Sequence, residues 1–356
     1  MSTAGHSENT PQGVAATLSD ADFVRIVGTA DGDALAAAGL LAHGLDTVEI
    51  PYQISLAAVP EPPATDADCT VSIGHPTGDV SVLSAPLAVE AADIVDALAP
   101  EAVDSELVLA GAACAGVEPA GEHLERADLE RAPGVAIPTD DRIEGLAGST
   151  LVHAPFSGDE AAVTSALEGG EFDDRELASF VALSAIESAP PRAVDAIERA
   201  LRPYATDRFE TLGGFADVLD AVARARPGTG IALALGYDVE RAALESWRAH
   251  AQRAHTALRE AEAGRYDGVY VVRLHDGSPE SLGTVARLSF QYRSPEPIAL
   301  AVTDGAAAAV GETDINDPLR NAAASLDGRA TARDGCGTAT FDGSMTDFAV
   351  AFREAV

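Results

Sequence analysis

The apolar positions change spacing several times along the chain, and each change predicts an element. Phe23 to Val27 is an apolar run that reads as a strand. It ends in a short acidic turn, and an Ala/Leu-rich helix from Asp33 to about Gly44 follows at once. Tyr52–Leu56, Cys69–Gly74 and Val80–Leu83 are three further predicted strands, with Glu61-Pro62-Pro63-Ala64 breaking the chain between the first two. Ser84 to Leu98 predicts a helix, because Leu87, Ala91, Ile94, Val95 and Leu98 recur at helical spacing. Leu107 to Gly116 predicts a helix of small residues able to pack tightly against a sheet. Strands alternating with helices through residue 150 predict a parallel, doubly wound sheet.

From about residue 155 to 262 the pattern is helical, over Asp174–Ser188, Pro191–Tyr204, Gly214–Ala225 and, longest, Asp238–Glu262. The last carries Arg241, Arg248, Arg253 and Arg259 among acids and reads as an exposed linking helix with i,i+4 ion pairs. A new β-rich unit then begins, with strands at Gly268–Leu274 and Pro297–Thr303 and a helix at Pro318–Leu326. The glycine-punctuated stretch Thr331–Phe341 follows, then a closing helix at Thr346–Val356. There is no convincing internal repeat. The expected division is a polar, frayed tail over 1–17, an α/β domain over 18–190, a helical connecting region over 191–264 and a smaller α/β domain over 265–356.

Composition narrows the class. A chain of 356 residues with 47% hydrophobic and 22% charged residues has enough apolar surface for two or three globular cores. The formal net charge is −34, and there is no lysine. Acidic, lysine-free and alanine-rich composition is the habit of proteins from a high-salt cytosol, where carboxylates hold water and salt screens their repulsion. The charge therefore reads as solvent adaptation, and it masks the basic footprint by which nucleic-acid binding is usually recognised. Cys69, Cys114 and Cys336 are far apart and form no CxxC, so neither structural zinc nor a disulfide framework is expected. No signal peptide or apolar run of membrane length is found, so a cytoplasmic protein with no membrane partner is expected.

The chemistry begins at Asp31 and Asp33, two apart at the C-terminal end of the first strand, where α/β proteins place metal ligands or phosphate chemistry. The same two residues also suit a plainer role, with Asp33 as N-cap of the following helix and Asp31 as solvated turn chemistry. His75, beside Gly74, and Asp79 could reach the same place, though a histidine before Pro76 also suits a structural role. Ser149 and Ser157 sit in no nucleophile elbow. Gly213-Gly214 and Gly228-Thr229-Gly230 lack the following Lys-Ser/Thr of a P-loop and read as loop punctuation.

Taken together, the order of parts resembles the DHH phosphoesterase superfamily, and within it the archaeal RecJ-like proteins. Those proteins open with a strand ending in His-x-Asp-x-Asp-Gly and an alanine-rich helix. The equivalent stretch here is Thr29-Ala30-Asp31-Gly32-Asp33-Ala34 followed by Leu35 to Leu41. Leu109 to Gly116 resembles the Ala-Gly-rich fourth motif, and Arg208 to Leu219 the region before the second domain. Asp334 to Phe341 is similar to a worn form of the glycine-rich signature of the DHHA1 domain. The resemblance implies a parallel-sheet DHH-like N-terminal domain, a helical linker and a smaller α/β DHHA1-like C-terminal domain.

It also implies two-metal phosphodiester hydrolysis with manganese or magnesium held by clustered aspartates and histidines. The departures bear on that chemistry. Thr29 stands in the place of the first-motif histidine, the third strand ends at Gly74 with His75 next, and no His-His pair exists. The fourth-motif aspartate is absent near Ala115-Gly116. Of the ligand set only Asp31 and Asp33 remain, so no intact catalytic site is expected and no cofactor, with manganese or magnesium the ion of any residual activity.

The resemblance further implies contact with the nucleic-acid backbone through Arg329, Arg333, Gly335 and Gly337; a turn with surface arginines is the plainer reading. Three functions stay open. One is a catalytically impaired partner of single-stranded DNA or RNA, or of a replication or repair complex with GINS and the replicative helicase, like the degenerate RecJ relative of the eukaryotic helicase. The second is an active metal-dependent single-strand exonuclease, and the third a small-molecule or RNA-end phosphoesterase.

Overall fold

The computed structural model describes residues 10–61, 67–187 and 189–356. Pro62 to Ala64 of the expected break and Ser188 lie outside the described residues, as do the first nine residues of the expected tail. The contacts divide the chain into one unit of Met1–Leu129 with Val218–Ala243 and a second of Glu130–Asp217 with Leu244–Val356.

The first unit opens with α1 (Pro11–Ser19), inside the stretch read as a frayed tail. Thr10 accepts a hydrogen bond from the Gly13 amide, Pro11 takes the first helical position, and Val14, Ala15 and Leu18 are buried. Then come β1 (Val24–Thr29), α2 (Gly32–Thr47), β2 (Tyr52–Ala57), β3 (Cys69–Ile73) and β4 (Val80–Val82). Next are α3 (Leu87–Leu98), α4 (Ser105–Cys114) and α5 (Glu122–Ala127). The strands form an all-parallel sheet in the order β2-β1-β3-β4.

The register pairs Val24 with Tyr52 and Cys69, and Val71 with Val80. Ile26, Ile54, Val71, Ile73, Val80 and Val82 therefore share one apolar face. Arg25, Val27, Thr29, Gln53, Ser55, Thr70, Ser72 and Ser81 fall on the other, a more polar face on which Val27, Thr29 and Ser72 are buried. The small-residue helix is α4, and a Cβ on Gly111 would lie 2.4 Å from that of Ala88 and 2.7 Å from that of Ala36.

The chain continues with α6 (Arg142–Gly148), α7 (Glu160–Leu167), α8 (Asp174–Ile186), α9 (Ala193–Ala200), α10 (Leu212–Ala225), α11 (Pro227–Ala234) and α12 (Glu240–Glu260). It ends with β5 (Glu262–Tyr266), β6 (Val269–Arg273), α13 (Leu282–Tyr292), β7 (Ile298–Thr303), β8 (Ala306–Gly311), α14 (Asn316–Ala324), β9 (Arg329–Arg333), β10 (Cys336–Thr340) and α15 (Met345–Ala355). The boundary between the units falls inside α10 and α12.

In the second unit a mixed sheet runs β5-β6-β7-β8-β10-β9, with only β6 and β7 parallel. Val285 and Leu288 of α13 pack with Ala301 and Ala308 on one face. Leu319 of α14 and Phe348 and Phe352 of α15 pack with Val271, Leu300 and Ala309 on the other. Among the described residues no helix is long and apolar enough to cross a membrane.

The exposed linking helix expected over 238–262 is corrected here. Within α12, Trp247, Ala251, Ala254, His255 and Leu258 are at most 1% exposed. Its arginines reach other segments, Arg248 pairing with Glu144 and Arg259 donating to the Ser157 carbonyl. The apolar stripe was hidden by charged neighbours on the remaining faces.

Two buried polar groupings hold this unit. Asp217 of α10 accepts from the Thr150 amide (2.9 Å), the Thr150 hydroxyl (2.5 Å) and Trp247 Nε1 (2.9 Å). Arg287 of α13 donates to the carbonyl and hydroxyl oxygens of Thr150. Nearby, His153 and His255 stack with ring centroids 5.3 Å apart and Nδ1 atoms 3.1 Å apart. His255 Nε2–H donates to the Ser149 carbonyl, so its Nδ1 accepts from His153 Nδ1–H, and His153 Nε2 accepts from Arg293. This chain of bonds closes only with both rings neutral.

Burial first, then the neighbouring ring and the arginines, lowers His153 to about 3; burial, offset by the bond to Ser149, lowers His255 to about 4. Between those values and the ordinary 6.5 the unfolded chain binds more protons, so stability is present above about pH 6.5 and is lost as the pH falls. Urea unfolding in molar KCl should therefore lose up to about 1.4 kcal/mol per pH unit per histidine below about pH 6. The slope should shrink in His153→Asn; an equal slope in that variant would refute the assignment.

Candidate functional site

The acidic turn between β1 and α2 is built from hydrogen bonds within the first unit. Asp31 has extended backbone angles and is the N-cap of α2, its Oδ1 accepting from the Ala34 amide at 2.9 Å. Its Oδ2 accepts from the hydroxyl of Thr29 at 2.7 Å, the residue that stands where the resemblance places a histidine. Asp33 is only 2% exposed. Its oxygens accept from the amides of Leu87 (2.8 Å) and Ala88 (2.9 Å), at the start of α3. The N-cap of α3 is Pro86, which has no side chain able to cap, and Asp33 supplies the missing acceptor from α2. The cap role expected of Asp33 at its own helix thus belongs to Asp31, while Asp33 caps the neighbouring helix. Both carboxylates lie at positive helix ends, where negative charge is favourable.

Two residues not singled out in the sequence close the same turn. The Gly32 amide donates to Asp220 Oδ1 of α10 at 3.1 Å, and Arg224 grips both Asp220 oxygens at 3.1 and 2.8 Å. A Cβ on Gly32 would lie 2.4 Å from Cys114 Sγ and 2.9 Å from the Asp220 amide, so the first turn of α2 is closed over by α4 and α10. The only sequence signal was an Asp–Arg pair at i,i+4, far along the chain.

His75 is 5% exposed. Its Nε2–H donates to the Val27 carbonyl at 3.0 Å, and its Nδ1 accepts from Thr77 at 2.8 Å. Burial lowers its pKa, so it is a neutral tie between a loop and β1. Asp79 accepts from the Thr70 amide. Ser149 and Ser157 accept from nearby amides of their own turns. Gly213-Gly214 lies in α10 and Gly228-Thr229-Gly230 in α11, which corrects their reading as loop punctuation. Among the described residues no group of three or more His, Cys, Asp or Glu side chains is arranged to hold a metal ion. A two-metal centre needs more ligands than the two aspartates supply, and the residues present do not fit one.

The four expected nucleic-acid contacts all lie on the β9–β10 hairpin, but not on one surface. Arg329 pairs with Thr340 and Arg333 with Cys336, on the face away from α14 and α15. Thr331 and Thr338 lie between them. Arg333 also pairs with Asp334 at 3.3 Å. Asp334 and Gly335 both have positive φ, the geometry of a tight two-residue hairpin turn. Gly337 is explained by packing, since a Cβ there would lie 2.6 Å from Leu319 Cδ2 of α14. Glu312, Asp314 and Asp334 line a cavity of about 280 Å³ beside Gly335.

The domain family described as "Uncharacterized protein rrnAC1427, C-terminal domain" matches residues 261–354. The chain is 46% identical over 379 residues to the uncharacterized protein rrnAC1427 of Haloarcula marismortui, covering 97% of this chain and 96% of that protein. By fold it is similar to RecJ from Thermus thermophilus in complex with Mn2+, with a TM-score of 0.52 at 17% identity. That match covers 97% of this chain and 54% of RecJ, so the chain spans about half the length of that protein. An exonuclease RecJ bound to manganese matches with a TM-score of 0.51 at 16% identity, covering 97% and 92% of the two chains. CDC45 from Entamoeba histolytica matches with a TM-score of 0.52 at 8% identity, covering 97% of each. At such identities the likeness is one of fold, a two-domain α/β architecture of the RecJ-like DHH/DHHA1 kind. The 46% relative settles the closer kinship: the chain belongs to the family of the Haloarcula marismortui protein rrnAC1427.

Proposed function

We propose that this protein is a RecJ-like chain that has lost the metal chemistry of that fold and acts as a partner of single-stranded nucleic acid within a replication or repair assembly. The observation that carries the reading is the use made of Asp31 and Asp33. Each carboxylate accepts backbone amides that start a helix, and Thr29 donates to Asp31 from the position where a ligand would stand. Turning either carboxylate toward a metal ion would orphan those amides, at about 1–3 kcal/mol each. The likeness to CDC45 supports a role inside an assembly, with GINS and the replicative helicase as the setting that the resemblance implies. Arg329 and Arg333, on one strand face with Thr331 between them, are the proposed contacts to the nucleic-acid backbone. No cofactor is proposed; manganese or magnesium is the ion that any activity would require.

The test is nucleotide release from single-stranded DNA and RNA with manganese, in molar KCl. The reading expects no release above that of a buffer control. Release that disappears in Asp31→Ala would overturn it and restore the exonuclease.

A further inference from the structure

With 57 acidic and 23 basic side chains, carboxylates outnumber basic groups by more than two to one. One cluster instead gathers two arginines at an aromatic ring. Tyr266, the last residue of β5, lies folded back along its own strand, its ring carbon Cε2 2.9 Å from where a Cβ on Gly264 would sit. The guanidinium of Arg353, on α15, stacks 3.7 Å from the centre of that ring. Arg273, on β6, donates from Nη2 to the phenol oxygen at 3.0 Å. Arg353 is exposed and makes no ion pair among the described residues. Arg273 has only Glu262 at 3.9 Å, a carboxylate that is itself 65% exposed and shared with His275 at 3.5 Å.

The geometry decides what such a cluster can bind. Stacking uses the flat face of the Arg353 guanidinium and leaves its N–H donors pointing outward in the plane. Arg273, its side chain 15% exposed, gives one donor to the phenol and turns Nη1 toward Glu262. Tyr266 thus acts as a positioning residue that holds two guanidinium groups around one ring, the exposed fork of Arg353 available to a tetrahedral oxyanion and the half-buried Arg273 adding its charge behind it. The net charge of the whole chain does not oppose this in its own solvent. At molar salt the screening length is about 3 Å, so an anion responds to the groups it touches and not to distant carboxylates. The cluster lies at the β5 edge of the six-stranded sheet, the edge opposite β9. Val350, 44% exposed and one helical turn before Arg353, adds an apolar contact of the kind a nucleobase uses.

We propose that Arg273 and Arg353, positioned by Tyr266, form a second contact site for the phosphate backbone of single-stranded nucleic acid. This rests on the reading of the protein as a nucleic-acid partner and adds a site at the other sheet edge.

The experiment is a fluorescence-anisotropy titration of labelled single-stranded oligothymidylate with the full chain in molar KCl. Arg353→Glu should bind about tenfold more weakly or worse while melting like the parent, because Arg353 is exposed. Tyr266→Leu should lose a similar factor, and Arg353→Lys should restore little, since lysine offers neither the stack nor the fork. Arg353→Glu binding as tightly as the parent, while Arg329→Glu with Arg333→Glu does not, would overturn this site and leave the broader reading standing. No binding by the parent would overturn both. Inorganic phosphate that displaces the oligomer at equal phosphate concentration would assign the cluster to free phosphate and overturn the nucleic-acid identity of its ligand.

Discussion

Replacing Asp217 with alanine is expected to cost about 3–5 kcal/mol of unfolding free energy, the largest effect of any single substitution considered. Its carboxylate is 2% exposed and accepts three hydrogen bonds, from the amide and hydroxyl of Thr150 and from Trp247 Nε1. Removing it leaves the buried amide and indole donors without their acceptor. It also removes the carboxyl group that holds Thr150, to which Arg287 donates. Asp217→Asn keeps one acceptor oxygen and the volume, and should cost less, about 1–3 kcal/mol. The protein has a single tryptophan, so Trp247 fluorescence reports both the unfolding transition and the site itself. A loss below about 1 kcal/mol in urea titrations would show that the network is ornamental.

Asp33→Ala should cost about 2–5 kcal/mol, from two buried amides left unpaired at the start of α3. Asp31→Ala should cost about 1 kcal/mol, the ordinary loss of a half-buried N-cap. The order matters as much as the size. Carboxylates kept close together for a metal repel one another in its absence, and removing one would then raise stability. A cap predicts the opposite sign.

Much of this was legible in the sequence, and what was not has physical reasons. The strand–turn–helix from Phe23 to Leu41 was clear because an apolar run, an acidic turn and an alanine helix agree with one another. Both aspartates were found, but not their partners. Leu87 and Ala88 meet Asp33 through packing of α3 on α2, which no local pattern encodes. Strand β8 is Ala-Ala-Ala-Ala-Val-Gly, a composition that favours helix, and pairing with β7 and β10 decides its state. The burial of α12 was obscured by arginines that reach other segments. The helix at Pro11 was hidden by polar residues, although Thr10 and Pro11 are a start signal. Arg329 and Arg333 share one strand, whereas Gly335 and Gly337 answer to a hairpin turn and to α14. The Tyr266 cluster joins two strands and the last helix, and no spacing in the sequence connects them.

The central claim is that the aspartates at the start of α2 hold helices and not metal. Its most direct test is urea unfolding of the parent and of Asp33→Ala in molar KCl, each with and without excess manganese. A bound ion would stabilise the folded chain by mass action, about 2.7 kcal/mol at a hundredfold excess over its dissociation constant. The caps predict that manganese leaves the parent's midpoint where it was and that Asp33→Ala is less stable in both conditions. A manganese-dependent gain in the parent that vanishes in Asp33→Ala, with the variant more stable than the parent when metal is removed, would contradict the claim.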